Sequence, residues 1–252
     1  MHLRKILVQV LQINENEKKV RRRTNPLKSP FYILLEESVM RVLLSGFAPF
    51  GGSKWNASWE AVRRLDGVQT AASIELFATK LPVTYNEAAE RLLASARVIC
   101  PDIIIAVGQA GGRKAITPER FAVNRIHSER PDNDGVIIKE QRISENGPQN
   151  YESALPLNEI VSAIQRMNIP AELSENAGTF VCNHVFYNLM HGLQKFEKRI
   201  IGGFIHVPYL SEQIKNDESP SLHIEQLTEA MRIAAIESAH YLLNQTKLCE
   251  TK

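Results

Sequence analysis

Three short apolar runs constrain this chain more than any other feature. They are "RVLLSGF" at 41–47, "DIIIAVG" at 102–108 and "RIIGGFIHV" at 199–207. A run this short and this continuously apolar reads as a β-strand buried on both faces. Helically spaced segments alternate with them: "SWEAVRRLDG" at 58–67, 86–100, "ALPLNEIVSAIQRMN" at 154–168, 180–196 and 223–245. Ser58 reads as the N-cap of the first helix and Gly67 as its stop. Weaker strand patterns stand at 72–83, 121–126 and 171–177. Strands that alternate with helices predict an α/β fold: a three-layer α/β/α arrangement with a twisted, largely parallel, mixed central sheet. In such sheets the site lies beyond the carboxyl ends of the strands. The loops expected there are 48–56, 109–120, 176–182 and 206–210.

Composition narrows the class. Hydrophobic residues at 44% and charged residues at 23% are those of an ordinary globular protein. No apolar run approaches the roughly 20 residues that span a bilayer. The net charge of +2 hides an asymmetry, since residues 1–39 hold eight Lys/Arg against four Asp/Glu and the remaining chain is slightly acidic. The body therefore lacks the basic character of a nucleic-acid binder. Three cysteines, Cys100, Cys182 and Cys249, make no disulfide framework and fit a reducing cytoplasm. No CxxC pair suggests structural zinc.

Residues 1–39 read poorly as a fold. The stretch "NENEKKVRRRTNPLKSP" is polar and charged, and a solvated, disordered tail is one reading. The Lys18–Arg23 cluster as a site for nucleic acid or acidic lipid is another. A third is translated leader: Met40 opens "MRVLLSGFAPFGG" as a domain would start, and Glu36-Glu37 admit a purine-rich, ribosome-binding codon pair. The folded domain is expected over 40–252.

Cys182, in "TFVCNHVFYNLMH", is the candidate that carries chemistry. Core filler, metal ligand and nucleophile are the three readings. Its placement favours the last. A thiol at a helix N-terminus meets the positive end of the helix dipole, which lowers its pKa. Unpaired N–H groups there can hold an oxyanion. Gly178 permits a tight turn before it. A base is then needed, and His206, at the end of an apolar strand, stands where such sites form. Glu119, in "ITPER", is a candidate acceptor to orient the imidazole, with a surface pair to Arg120 as the bland alternative. "GQAGGR" at 108–113 matches no nucleotide-loop pattern. His184 and His191 on one helix face lack a third metal ligand at a telling distance.

Four segments together resemble the pyroglutamyl peptidase I (pyrrolidone-carboxylate peptidase) family of cysteine peptidases. They are "LLSGFAPFGGSKWNASWEAV", "GQAGGRKAITPERFAVN", "SENAGTFVCNHVFY" and "GGFIHVPYL", in that order, between Met40 and about Gln245. The resemblance implies a triad of Cys182, His206 and Glu119 that removes the N-terminal pyroglutamyl residue from peptides. It implies that Phe47, Phe50 and Phe180 flank the lactam ring, with Asn56 and Gln109 at its polar edge. It also implies a cytoplasmic enzyme without metal or organic cofactor, and a homotetramer as in many bacterial members. One departure stands out. Where the family has an Arg two residues before the Pro of its "PDN" loop, this chain has Glu129, and Arg130 follows. A one-residue shift of the loop restores an Arg at that place.

The chemistry suits these residues. Pyroglutamate is a neutral, flat lactam that fits a slot between aromatic rings. A buried amide that pairs with its N–H and C=O rejects analogues lacking them, by factors on the order of 10⁴. A pyroglutamyl-thioester on Cys182 is the expected intermediate. Two further readings stand beside this one: a non-cleaving binder of pyroglutamyl peptides, and a nucleoside phosphorylase-like enzyme whose turnover depends on phosphate.

Overall fold

The computed structural model describes residues 39–214 and 219–250. The expectations for residues 1–38, including the Lys18–Arg23 cluster, and for the Cys249 side chain lie outside the described residues.

Each apolar run forms a strand. In chain order the elements are β1 (Met40–Phe47), α1 (Ala57–Val62), β2 (Ile74–Leu81), α2 (Ala88–Ile99), β3 (Ile103–Gln109), β4 (Thr117–Glu119), β5 (Phe121–Val123), β6 (Asn150–Glu152), α3 (Leu157–Arg166), α4 (Val181–Leu193), β7 (Ile201–Val207), β8 (Tyr209–Leu210), β9 (Ser221–Leu222) and α5 (Ile224–Glu250). The central sheet runs β2-β1-β3-β7-β4. Its first four strands are parallel, and β4 joins β7 antiparallel, so the sheet is mixed as expected.

Successive side chains of a strand point to opposite faces, and the two cores follow from that. Val42, Leu44, Ile103, Ile105 and Ile205 pack with residues of α1, α3 and α5. Leu43, Ile104, Ala106 and Phe204 pack with residues of α2 and α4. Both faces of the sheet are covered, which is why its central strands read as continuous apolar runs.

Three local expectations are corrected. The first helix is shorter than 58–67, and its N-cap is Asn56, whose side chain accepts from the Ser58 N–H at 3.2 Å. Ser58 is buried instead and accepts the Phe47 N–H at 2.9 Å. Only 121–123 of the expected strand at 121–126 is extended, paired with β6 in a separate two-stranded sheet.

The expected strand at 171–177 appears as two isolated bridges, Ile116 just before β4 with Ala171 and Glu119 of β4 with Ser174. The cause is visible in the bonds. Ile116 N–H donates to Pro170 C=O, Glu172 N–H to Ile116 C=O, Ser174 N–H to Pro118 C=O and Arg120 N–H to Ser174 C=O. The missing rung of this parallel ladder is the one Pro118 would donate, and proline has no N–H.

Candidate active site

The carboxyl ends of β1, β3 and β7 meet the start of α4 around a cavity of about 350 Å³. Phe47, Phe50, Asn56, Gln109, Phe180, Cys182 and His206 all line it. Of the eight expected site residues, only Glu119 stands behind this wall. A wider open cleft of about 750 Å³, along Gly51–Trp55, Tyr209 and Glu212–Ile214, contains none of the triad candidates.

Cys182 is half-buried in the first turn of α4. The chain turns into this helix through Gly178, whose φ of +80° favours glycine. No side chain caps the helix, so its first-turn N–H groups are open to an anion. The sulfur reaches the sheet because Gly108 has no side chain: a Cβ there would stand 2.9 Å from Cys182 Sγ. Gly108 is the register partner of His206 on the adjacent parallel strand, so thiol and imidazole share one face of the sheet.

His206 is 4% exposed, and its Nδ1 lies 2.6 Å from Glu119 Oε1. Glu119 is fully buried and reaches this position from β4, whose antiparallel register sets Thr117 opposite His206. The bland alternative, a surface pair with Arg120, does not occur; Arg120 pairs with Glu175 at 3.1 Å. An ionised carboxylate only accepts, so the Nδ1 proton belongs to this bond and Nε2 is left as the acceptor.

The electrostatics correct one expectation. The helix dipole was expected to lower the Cys182 pKa, but burial dominates and, with the negative charge of Glu119, pushes the thiol up to about 12. Arg130, Arg113 and the backbone N–H pull the other way without prevailing. Burial also lowers the pKa of His206, against the upward pull of Glu119. Both shifts favour a neutral thiol beside a neutral imidazole.

Phe47, Phe50 and Phe180 form an aromatic wall of the cavity. Phe50 and Phe180 are in ring contact, with centroids 5.4 Å apart and planes tilted by 46°. The Arg130 guanidinium lies over both rings, at 5.2 and 5.1 Å. Arg130, which follows Glu129 in this loop, therefore lines the cavity. Thr179 holds that loop, exchanging bonds with the His127 C=O at 2.8 Å and N–H at 3.0 Å.

The two amides differ. Asn56 donates to Ala48 C=O and accepts from Ser58, so its side chain is largely committed to the loop. Gln109 accepts the Ala57 N–H at 2.7 Å through Oε1, and its Nε2 has no partner among the described residues. Gln109 lines the cavity, so Nε2 is a donor left over for whatever fills it.

Two residues were not expected. Asn183, fully buried, accepts from Val123 N–H and donates to the Val123 and Arg125 carbonyls, each at 2.9 Å. It fastens the 121–130 segment to α4. Arg113, noted only within a glycine-rich loop, pairs with Glu119 Oε1 at 2.7 Å. The two helix histidines are separately engaged: His184 packs edge-on against Tyr85, and His191 bonds the Tyr151 hydroxyl at 2.8 Å.

Comparison with known proteins identifies the family and the fold. The family model described as pyroglutamyl peptidase matches residues 40–241. The pyrrolidone-carboxylate peptidase of Bacillus licheniformis is 45% identical over 199 residues, 79% of this chain and 92% of the relative. That of Bacillus subtilis is 41% identical over 201 residues, 80% and 93%. The crystal structure of Bacillus amyloliquefaciens pyroglutamyl peptidase I, 44% identical, superposes with a TM-score of 0.77 over 80% of this chain and 97% of that one. A mutant pyrrolidone carboxyl peptidase from Pyrococcus furiosus, 38% identical, gives 0.77 over 81% and 100%.

Proposed function

The chain belongs to the pyroglutamyl peptidase family, and on that premise we propose that Cys182, His206 and Glu119 are the triad with which it removes N-terminal pyroglutamate from peptides. The observation that supports this most is the convergence of thiol, imidazole and aromatic side chains on one cavity, with Glu119 bonded behind the imidazole.

The reaction proceeds in two steps. His206 Nε2 takes the thiol proton as Sγ attacks the pyroglutamyl carbonyl, and first-turn N–H groups of α4 hold the oxyanion. The imidazolium then gives its proton to the leaving amine, and the peptide departs one residue shorter. Water attacks the thioester carbonyl with Nε2 as its base, which releases pyroglutamate and restores the thiol. Glu119 keeps Nε2 aimed at the sulfur and offsets the transient charge on the ring. No step calls for a metal or an organic cofactor.

Selection follows from the aromatic wall. Phe47, Phe50 and Phe180 bury the lactam body, Gln109 Nε2 donates to the lactam carbonyl, and Asn56 holds the loop around it. The non-cleaving alternative leaned on a misplaced Arg, and Arg130 lines the cavity after all. The phosphorylase alternative leaned on the 108–113 loop, whose only cation is committed to Glu119. Cytoplasmic location and a homotetramer complete the reading, both supported by family resemblance.

Hydrolysis of pyroglutamyl-aminocoumarin, with reductant present, tests the function. Wild type is expected to release the fluorophore, and Cys182→Ala to lose essentially all turnover while staying folded. Equal turnover by both would overturn the triad. Turnover that required phosphate would favour the phosphorylase reading.

A further inference from the structure

Arg113 sits at the hub of the buried polar network. Its Nη1 lies 2.7 Å from Glu119 Oε1, the same oxygen that is 2.6 Å from His206 Nδ1. Nη1 also donates to Thr117 Oγ1 on β4, and Nη2 donates to the Asn176 carbonyl at 3.2 Å. Asn176 begins the turn that leads through Gly178 to Cys182. One guanidinium thus touches the acid of the triad, the strand that carries it and the loop that delivers the nucleophile.

The energetic reason lies in Glu119. Its side chain is completely buried, and Oε2 has no hydrogen-bond partner among the described residues. A sealed carboxylate is costly unless a cation faces it. His206 is neutral at rest and does not supply that charge. Among the described residues Arg113 is the only Lys or Arg in an ion pair with Glu119. Its planar fork serves two directions at once, which a lysine ammonium at the same place would not do rigidly.

We propose that Arg113 is a positioning residue for this site: it balances and anchors the Glu119 carboxylate that orients His206, and it ties that pair to the loop entering Cys182. This rests on the triad reading above. Arg113 also sets the charge at which the pair works. The charged groups that bear on Cys182 are Glu119 from β4, Arg113 and Arg130, with the Tyr85 phenol nearby. Those that bear on His206 are Glu119 and Arg113. Removing the Arg113 charge leaves Glu119 unopposed, which raises the pKa of both reacting groups. Both limbs of the pH profile therefore move to higher pH.

The test compares wild type, Arg113→Met and Arg113→Lys. Two pH profiles are measured, kcat/KM on pyroglutamyl-aminocoumarin and the rate of Cys182 alkylation by iodoacetamide, with thermal melts as the check on folding. For Arg113→Met the expectation is a loss of kcat of about 10²-fold or more, with both limbs displaced upward by about one pH unit. For Arg113→Lys the limbs stay in place, while kcat falls at nearly constant KM. An unmoved profile in a folded Arg113→Met, or a pure rise in KM, would overturn the proposal. Should Arg113→Met not fold, wild-type kcat in Arg113→Lys would overturn it equally. The alkylation profile needs no turnover, so a wild type that failed to cleave would sink the functional reading and leave the role of Arg113 to be decided by alkylation.

Discussion

At Gly108 the sheet has no room for a side chain. A Cβ there would stand 2.9 Å from Cys182 Sγ and 2.8 Å from Phe204 Cζ. Gly108→Ala therefore has to displace the sulfur or the ring. The core cost is about 1–3 kcal/mol, and the displaced thiol lowers kcat by roughly 10²-fold. Paired kinetics and denaturation check this: a variant with wild-type kcat would show that Sγ does not work from this place. Cys182 and His206 could be singled out as candidates because each signal is local, a thiol at a helix start after a glycine and an imidazole at the end of an apolar run, and the structure sets both on one cavity. The sign of the thiol's pKa shift was not legible. Dipole and burial oppose each other, and how deep the sulfur sits is known only once Gly108, Phe204 and α4 are packed together. Arg113 was hidden for a similar reason. Its partner lies six residues on, and Arg113 reaches it from the irregular loop before β4, whose path has no sequence pattern.

Among the elements, the strongly periodic ones were read within a few residues, and the misreadings cluster where hydrogen bonding is irregular. Thr117–Glu119 is too short to show a pattern, yet it seats the buried carboxylate. The 171–177 segment does run beside it, but Pro118 withholds the rung that would make the two a continuous ladder. The first helix was misplaced because Asn56 and Ser58 are both good caps, and Ser58 is taken up by the Phe47 N–H. Asn183 is the tie between elements that the sequence could not reveal. Asn183→Ala takes the acceptor from the Val123 N–H and the donor from the Arg125 carbonyl, while the Val123 carbonyl keeps the Arg125 N–H; an unmet group that is fully buried costs about 1–3 kcal/mol, and these part-buried ones cost less. A clear drop in the urea midpoint is expected, together with a rise in KM as the Arg130 loop loosens. An unchanged midpoint would mean that the 121–130 segment holds itself in place.

For the molecule as a whole, the alternation of apolar runs with helices was enough to give three layers and a largely parallel sheet, because both faces of that sheet had to be covered. The same burial sets an acid limit. His184, largely enclosed beside Tyr85, has its pKa lowered by burial from 6.5 to about 4. The unfolded chain takes up that proton below pH 6.5 while the folded chain refuses it until about pH 4. Stability is therefore lost as the pH falls through this window, by on the order of 3 kcal/mol from this residue. His206, also lowered, adds to the same slope. His184→Gln is expected to flatten the dependence of the melting temperature on pH between these values, and an unchanged slope would assign the acid limit to other groups. The measurement that bears most directly on the account is the chemical identity of the intermediate. Rapid acid quench during turnover of an activated pyroglutamyl ester, followed by peptide mapping with mass spectrometry, should find one pyroglutamyl group on the peptide that carries Cys182, absent in Cys182→Ala. Steady turnover with no adduct, or an adduct on another residue, would contradict the assignment of Cys182 as the nucleophile.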